Sequence, residues 1–154
     1  MSIDPGDRAP DFKLPTDGGG TLASKDLKGK KAVLYFYPKD MTSGCTKESI
    51  AFAEASPEFE RAGTAIVGVS KDSVARHDKF KAKYDLPFPL VSDSEGTLCE
   101  AYGVWVEKKL YGRQYMGIER ATFLIDEKGV IRETWRKVKV NGHVDAVLDA
   151  VRKL

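Results

Sequence analysis

Residues 31–37 (KAVLYFY) form an apolar run of strand length, and the following residue is Pro38. A continuous apolar run bounded by a residue that cannot donate to a ladder reads as a buried strand. Thr64–Ser70 (TAIVGVS) is a second run of the same kind, begun after Gly63. Between the two, a helix opens near Ser43 or Gly44 and carries Cys45. Ser56-Pro57 is expected to restart or kink it, because serine caps and proline suits the first helical position. Asp72 or Ser73 then caps a charged helix through Tyr84, with Val74, Phe80 and Tyr84 on its inner face. Phe88–Val91 reads as a short strand. Ser94 begins a helix containing Leu98, Cys99 and Tyr102, which Gly103 stops. Residues 121–126 and 130–138 flank the hairpin signal Glu127-Lys128-Gly129. Val144, Val147, Leu148, Val151 and Leu154 mark a final helix. Strand–helix alternation closed by a hairpin predicts an α/β fold, a central mixed β-sheet flanked by helices on both faces.

The 154 residues suit one domain, 1–154, with a full core. With 25 basic and 23 acidic residues dispersed along the chain, the balance excludes a nucleic-acid footprint, which needs clustered excess base. The densest basic stretch, Lys28–Lys31 (KGKK), reads as a solvated loop, and Gly18-Gly19-Gly20 as a local turn. No apolar run reaches a bilayer span. The N-terminal MSIDPGDRAP has neither a basic nor an apolar leader region, so no signal peptide is expected. Two cysteines make no disulfide scaffold, which points to a reducing cytoplasm.

Cys45 lies at a strand-to-helix junction, where α/β sheets usually place their sites. Free N–H groups and the positive end of the dipole at a helix start stabilise a thiolate. Thr42 supplies a hydroxyl for the sulfur or a bound oxygen. Pro38 stiffens the loop and shields the sulfur, and Gly44 lets a ligand approach the main chain. Taken alone, Cys45 reads better as a small core residue than as a reactive thiol. His77 and His143 are 66 positions apart with no cysteine or carboxylate at ligand spacing, so no metal site is expected. Trp105 and Trp135 read as packing residues, with Trp105 also able to border a pocket.

Together these residues spell Pro38-x-x-x-Thr42-x-x-Cys45, followed by Glu48. With Gly6-Asp7-Arg8-Ala9-Pro10-Asp11-Phe12, the run YFYPKDMT, Gly103-Val104-Trp105, and Arg120 ahead of Thr122–Asp126, the chain resembles the peroxiredoxins over nearly its whole length. Within them it is most similar to the bacterioferritin comigratory protein, or Q-type, branch. The resemblance implies a thioredoxin-like fold and a cofactor-free reduction of hydrogen peroxide and organic hydroperoxides. Cys45 would attack the O–O bond and become a sulfenic acid. Thr42 and Arg120 would hold the peroxide oxygens, with the N–H groups of Gly44 and Cys45. Pro38 would shield the site, and Glu48 would orient Arg120. The branch resemblance also favours a monomer.

The chain departs from the branch pattern at two positions. Ser43 stands where the branch usually has proline, which leaves the loop less constrained. Ile50 stands where many members carry the resolving cysteine, five residues after the first. Other members place it on the next helix, but Ser73–Tyr84 contains none. The expected cycle is therefore of the one-cysteine type, with thioredoxin, glutaredoxin or glutathione as the external thiol reductant. Cys99 is read as a buried spectator, the alternative being an atypical two-cysteine cycle in which it resolves Cys45. Two rivals stand beside these readings. A dithiol oxidoreductase would need a C-x-x-C pair, whereas Cys45 is followed by Thr46, Lys47 and Glu48. A redox-silent holdase or interaction domain could share the fold.

Overall fold

A strand that is apolar on both sides is satisfied only inside a sheet covered on both faces. In the computed structural model, which describes residues 3–154, the run at 31–36 occupies that place. The strands are β1 (Lys13–Pro15), β2 (Thr21–Ala23), β3 (Lys31–Phe36), β4 (Thr64–Ser70), β5 (Leu90–Ser92), β6 (Trp105–Leu110), β7 (Arg113–Ile118), β8 (Ala121–Ile125) and β9 (Ile131–Trp135). The helices are α1 (Ser43–Arg61), α2 (Val74–Tyr84), α3 (Thr97–Ala101) and α4 (His143–Arg152).

The central sheet has the order β5-β4-β3-β8-β9. Strands β4 and β5 run parallel to β3, whereas β8 is antiparallel to β3 and β9 to β8. The α/β fold with a mixed central sheet is thus as expected. Side chains alternate through the sheet even where the sequence is apolar throughout. Val33, Tyr35 and Tyr37 of the β3 segment join a core with α1, α2 and α4. Ala32, Leu34 and Phe36 point the other way, into a core with α3, Tyr102 and the N-terminal hairpin β1–β2.

Tyr35 shows how closely α1 seats on the sheet. Its ring stacks on Phe52 at 4.6 Å, and its hydroxyl lies 2.8 Å from Ser49 Oγ. Gly68 on β4 makes this possible, because a Cβ there would stand 3.0 Å from the Tyr35 ring and 2.8 Å from Leu90.

Several boundaries differ from the sequence reading. Helix α1 runs unbroken through Pro57. Phe52 and Phe59, on either side of the proline and both fully buried, hold the helix to the core. Burial of the two phenylalanines, worth about 2 kcal/mol each, offsets the roughly 3 kcal/mol cost of an interior proline. The short strand sits at 90–92 rather than 88–91, and α3 is shorter than expected. Val74 and Tyr84 are only half-buried, while His77 joins Phe80 on the inner face of α2. Leu154 is exposed beyond α4.

Two hairpins lie outside the predicted elements. β1–β2 is short, and the Gly18–Gly20 turn connects its strands. β6–β7 forms a separate ribbon turned at Tyr111-Gly112, both with positive φ. Its charged, half-exposed sequence carries no clear alternation, and tyrosine is an unusual residue for such a turn.

Candidate active site

The antiparallel register Phe36↔Ala121 brings the end of β3 and the start of β8 to the same edge of the sheet. Residue 120 therefore lies beside the loop that leads into α1, although 75 positions separate it from Cys45. Cys45 is the third residue of α1, 1% exposed, and belongs to the same core as Tyr35 and Tyr37. The helix ladder begins with Thr46 N–H donating to the Thr42 carbonyl at 2.9 Å. The N–H groups of Ser43, Gly44 and Cys45 precede that bond and have no intrahelical acceptor. Thr42 is the N-cap residue, but its side chain does not cap. Its Oγ1 donates instead to the Lys39 carbonyl at 2.8 Å. The first turn thus keeps its donors free beside the sulfur, and the Thr42 oxygen keeps its lone pairs free to accept.

The Arg120 guanidinium forks over this turn. Nη2 donates to Cys45 Sγ at 3.4 Å, and Nη1 donates to Glu48 Oε1 at 2.7 Å. Glu48 lies one helical turn beyond Cys45 and is fully buried, with Oε2 unpartnered among the described residues. Burial raises the Glu48 carboxyl to about 7, even against the charge and hydrogen bond of Arg120 that pull it down. The guanidinium therefore faces a carboxyl that burial pushes toward its neutral form, and a sulfur. Gly44 is where the guanidinium fits, since a Cβ there would stand 3.1 Å from Nη2. The sequence reading gave that freedom to a ligand; in the structure Arg120 occupies the space.

Pro38 is half-buried and lines a cleft of about 410 Å³ together with Trp105, Lys108, Tyr115 and Met116. Lys71 Nζ sits 3.9 Å above the Trp105 ring, so Trp105 borders the cleft as well as packing. Burial, and then the charge of Arg120, push the Lys108 amine down. Near Arg120, whose charge acts on it, His143 Nε2 lies 2.8 Å from Thr122 Oγ1. Burial, then Arg120, lower His143 to about 4, so the imidazole is neutral there.

Cys99 is not part of this site. It is fully buried in α3, in the core on the opposite face of the sheet. Asp93 accepts from the Cys99 and Leu98 N–H groups at 2.8 and 3.1 Å. Burial, then the neighbouring Asp93, push the Cys99 thiol well up, which keeps it protonated. Ile50 is half-buried on α1.

Sequence spacing missed one group of residues. Asp40, Asp72 and His77, all buried, bring ligand-type atoms within 4.8 Å of one another beneath the loop before α1. They come from the β3–α1 loop, the β4–α2 turn and α2, so no local spacing displays them. The only signal was an aspartate directly after Pro38-Lys39. Each already has hydrogen-bond partners within the protein.

The AhpC/TSA family profile matches residues 5–134. A putative peroxiredoxin bcp from Coxiella burnetii is 57% identical over 148 residues, 96% of this chain and 98% of the relative. Peroxiredoxin Bcp of Bacillus subtilis is 49% identical over all of this chain and 98% of its own. Among solved structures, a cysteine-to-serine mutant of PrxQ from Xylella fastidiosa superposes with a TM-score of 0.94 at 41% identity, covering 99% of this chain and 98% of that one. A Xanthomonas campestris bacterioferritin comigratory protein, studied for alkyl peroxide reduction, gives 0.89 at 48% identity, with 92% and 90% covered. No helix among the described residues is long and apolar enough to cross a membrane. The uncapped helix start, its cysteine and the arginine just before β8 thus sit in a chain that belongs to the AhpC/TSA family, in the bacterioferritin comigratory protein branch of the peroxiredoxins, which are thiol-dependent peroxidases.

Proposed function

We propose that this chain, as a single domain, reduces hydrogen peroxide and organic hydroperoxides through Cys45 in a one-cysteine cycle. The observation that carries the reading is the Arg120 fork over the uncapped first turn of α1. The Cys45 thiolate attacks the nearer peroxide oxygen, the O–O bond breaks, and sulfur is oxidised to the sulfenic acid. The other oxygen leaves with the bonding pair and takes a proton to become water or an alcohol. Arg120 and the N–H groups of Gly44 and Cys45 face the charge that builds on the oxygens. Thr42 Oγ1, donating to Lys39, accepts the peroxide O–H. Pro38 covers the site, and Glu48 holds the guanidinium.

An external thiol then attacks the sulfenic sulfur, releasing water and leaving a mixed disulfide, and a second thiol frees Cys45. Thioredoxin, glutaredoxin and glutathione all fit that role. The position of Cys99 behind the sheet, protonated, supports the one-cysteine cycle, since a disulfide needs Cα atoms within about 7 Å. The reading places a monomer in a reducing cytoplasm, where unpaired cysteines persist.

The test is intact mass and non-reducing peptide mapping after one equivalent of peroxide, with and without a small thiol. The expected products are a Cys45 mixed disulfide with the thiol and Cys45 over-oxidation without it. Cys45→Ser is expected to abolish turnover and Cys99→Ser to retain it. A Cys45–Cys99 disulfide as the main product, with turnover lost in Cys99→Ser, would establish the two-cysteine cycle instead. Thiol loss no faster than that of free cysteine would mean a redox-silent domain.

A further inference from the structure

The loop between Tyr37 and α1 carries Pro38 and Thr42, and a single buried residue anchors it. Lys39, Met41 and Thr42 are exposed, Met41 in left-handed backbone at φ 68, whereas Asp40 is 1% exposed. Every polar group of Asp40 is engaged. Its N–H donates to Asp72 Oδ2 at 2.8 Å, and its carbonyl accepts from Arg76 Nη2 at 3.3 Å. Tyr37 O–H donates to Oδ1 at 2.5 Å, and Oδ2 lies 2.7 Å from His77 Nδ1. His77 in turn is fully buried, with Nε2 2.9 Å from the Val91 carbonyl of β5.

The proton count of this pair is set by its partners. A carbonyl only accepts, so His77 Nε2 carries a hydrogen. Nδ1 and Oδ2 at 2.7 Å can meet only if one more proton lies between them. We infer that Asp40 and His77 are positioning residues that hold the Pro38–Thr42 loop over Cys45 while that proton is present and release it when the proton leaves. The inference rests on the reading of Cys45 as the attacking thiol.

The groups facing the pair are Tyr37 just after β3, Asp72 from the turn after β4, Arg76 from α2 and the Val91 carbonyl from β5. Burial pushes His77 down, but the Asp40 hydrogen bond and charge, the Val91 carbonyl and Asp72 outweigh it, so the imidazole pKa stands above its usual 6.5. A raised folded-state value means the contact is fully present below about pH 6.5, the unfolded value, and is lost as pH rises through the raised value. A bare Nδ1 lone pair would then face a buried carboxylate at contact distance, and the loop would lose its anchor.

The test follows the second-order reaction of Cys45 with hydrogen peroxide from about pH 6 to about pH 10, beside its alkylation by iodoacetamide. Alkylation tracks thiolate and access but does not need the peroxide-holding geometry. In the parent, the ratio of peroxide to alkylation rate is expected to fall on the alkaline side. Asp40→Ala is expected to lower that ratio about 10²-fold near neutrality, the cost of a misplacement of about 1 Å. Asp40→Asn turns an amide N–H toward neutral His77 Nδ1 and has no proton to lose. It is expected to recover most of the ratio and to abolish the alkaline fall. If Asp40→Ala does not fold, the pH profiles of Asp40→Asn and the parent decide. An alkaline fall that persists in Asp40→Asn, or equal losses of both rates, overturns the proposal alone. A peroxide reaction that survives Cys45→Ser removes the underlying reading, and this proposal with it.

Discussion

Replacing Arg120 by Met separates the two tasks of the guanidinium, because they involve different partners. Nη2 faces Cys45 Sγ at 3.4 Å, and Nη1 holds the buried Glu48 at 2.7 Å. The family resemblance suggests a residue important for rate; the buried partner adds a role in the fold. Burial lifts the Glu48 carboxyl from 4.5 to about 7 with Arg120 in place, a preference for the neutral form of about 3 kcal/mol. Without the arginine, nothing counters the burial. Because the folded value is raised, Glu48 is neutral in the native state below about 7 and its charge costs stability above it. At about pH 8, Arg120→Met is therefore expected to destabilise by about 3 kcal/mol, the usual result of stranding one partner of a buried pair, and proton uptake by Glu48 caps the loss. At about pH 5, Glu48 is already protonated and the cost shrinks to one hydrogen bond, about 1 kcal/mol. The peroxide rate should fall about 10²- to 10³-fold, as for other donors aimed at developing charge. In Arg120→Met/Glu48→Gln the stability loss at about pH 8 should largely disappear while the rate stays low. Urea unfolding at the two pH values and stopped-flow peroxide kinetics measure both. If the single variant is equally stable at both pH values relative to the parent, or if Glu48→Gln restores the rate, the division of labour argued here is wrong.

Thr42→Val removes the hydroxyl that bridges Lys39 to the proposed peroxide position; the peroxide rate should fall by about 10²-fold, with Thr42→Ser close to the parent. Gly44→Ala puts a methyl 3.1 Å from Arg120 Nη2. The guanidinium end can give way, so urea midpoints should move little while the peroxide rate drops several-fold. His143, lowered to about 4 beside Thr122 and Arg120, resists a proton that the unfolded chain accepts near 6.5. Its share of stability is present above about pH 6.5 and is lost as pH falls toward 4. The acid-side stability gap between parent and His143→Gln should therefore close from the parent's side, and gaps that stay parallel from about pH 7 to about pH 4 would refute the assignment.

The local features of the chain were legible because local physics decides them. An apolar run ended by Pro38 is a buried strand wherever it folds, and Ser73 does cap α2, accepting from Arg76 N–H. The start of α1 at Ser43, with Cys45 in its first turn, follows from the same reasoning. The hairpin around Glu127–Gly129 is equally local. Pro57 misled for the opposite reason: proline's cost is local, but the burial of Phe52 and Phe59 that overrides it is tertiary. The β6–β7 ribbon carried too little alternation to declare itself.

At the site, the sequence supplied a cysteine at a helix start, and its resemblance to a family supplied both the proposed role of Cys45 as nucleophile and Arg120. Only the β3–β8 register explains why a residue 75 positions away reaches Sγ. The sheet likewise decides the relation of the two cysteines. Alternating side chains send Tyr35 and Phe36 into opposite cores, and Cys45 and Cys99 go with them. His77 read as a histidine on a charged helix because its partners, Asp40 and the Val91 carbonyl, come from two other segments. Hydrogen bonds and ion pairs between distant segments leave no periodic trace in a chain; they exist only once the packed sheet brings those segments within about 3 Å of one another.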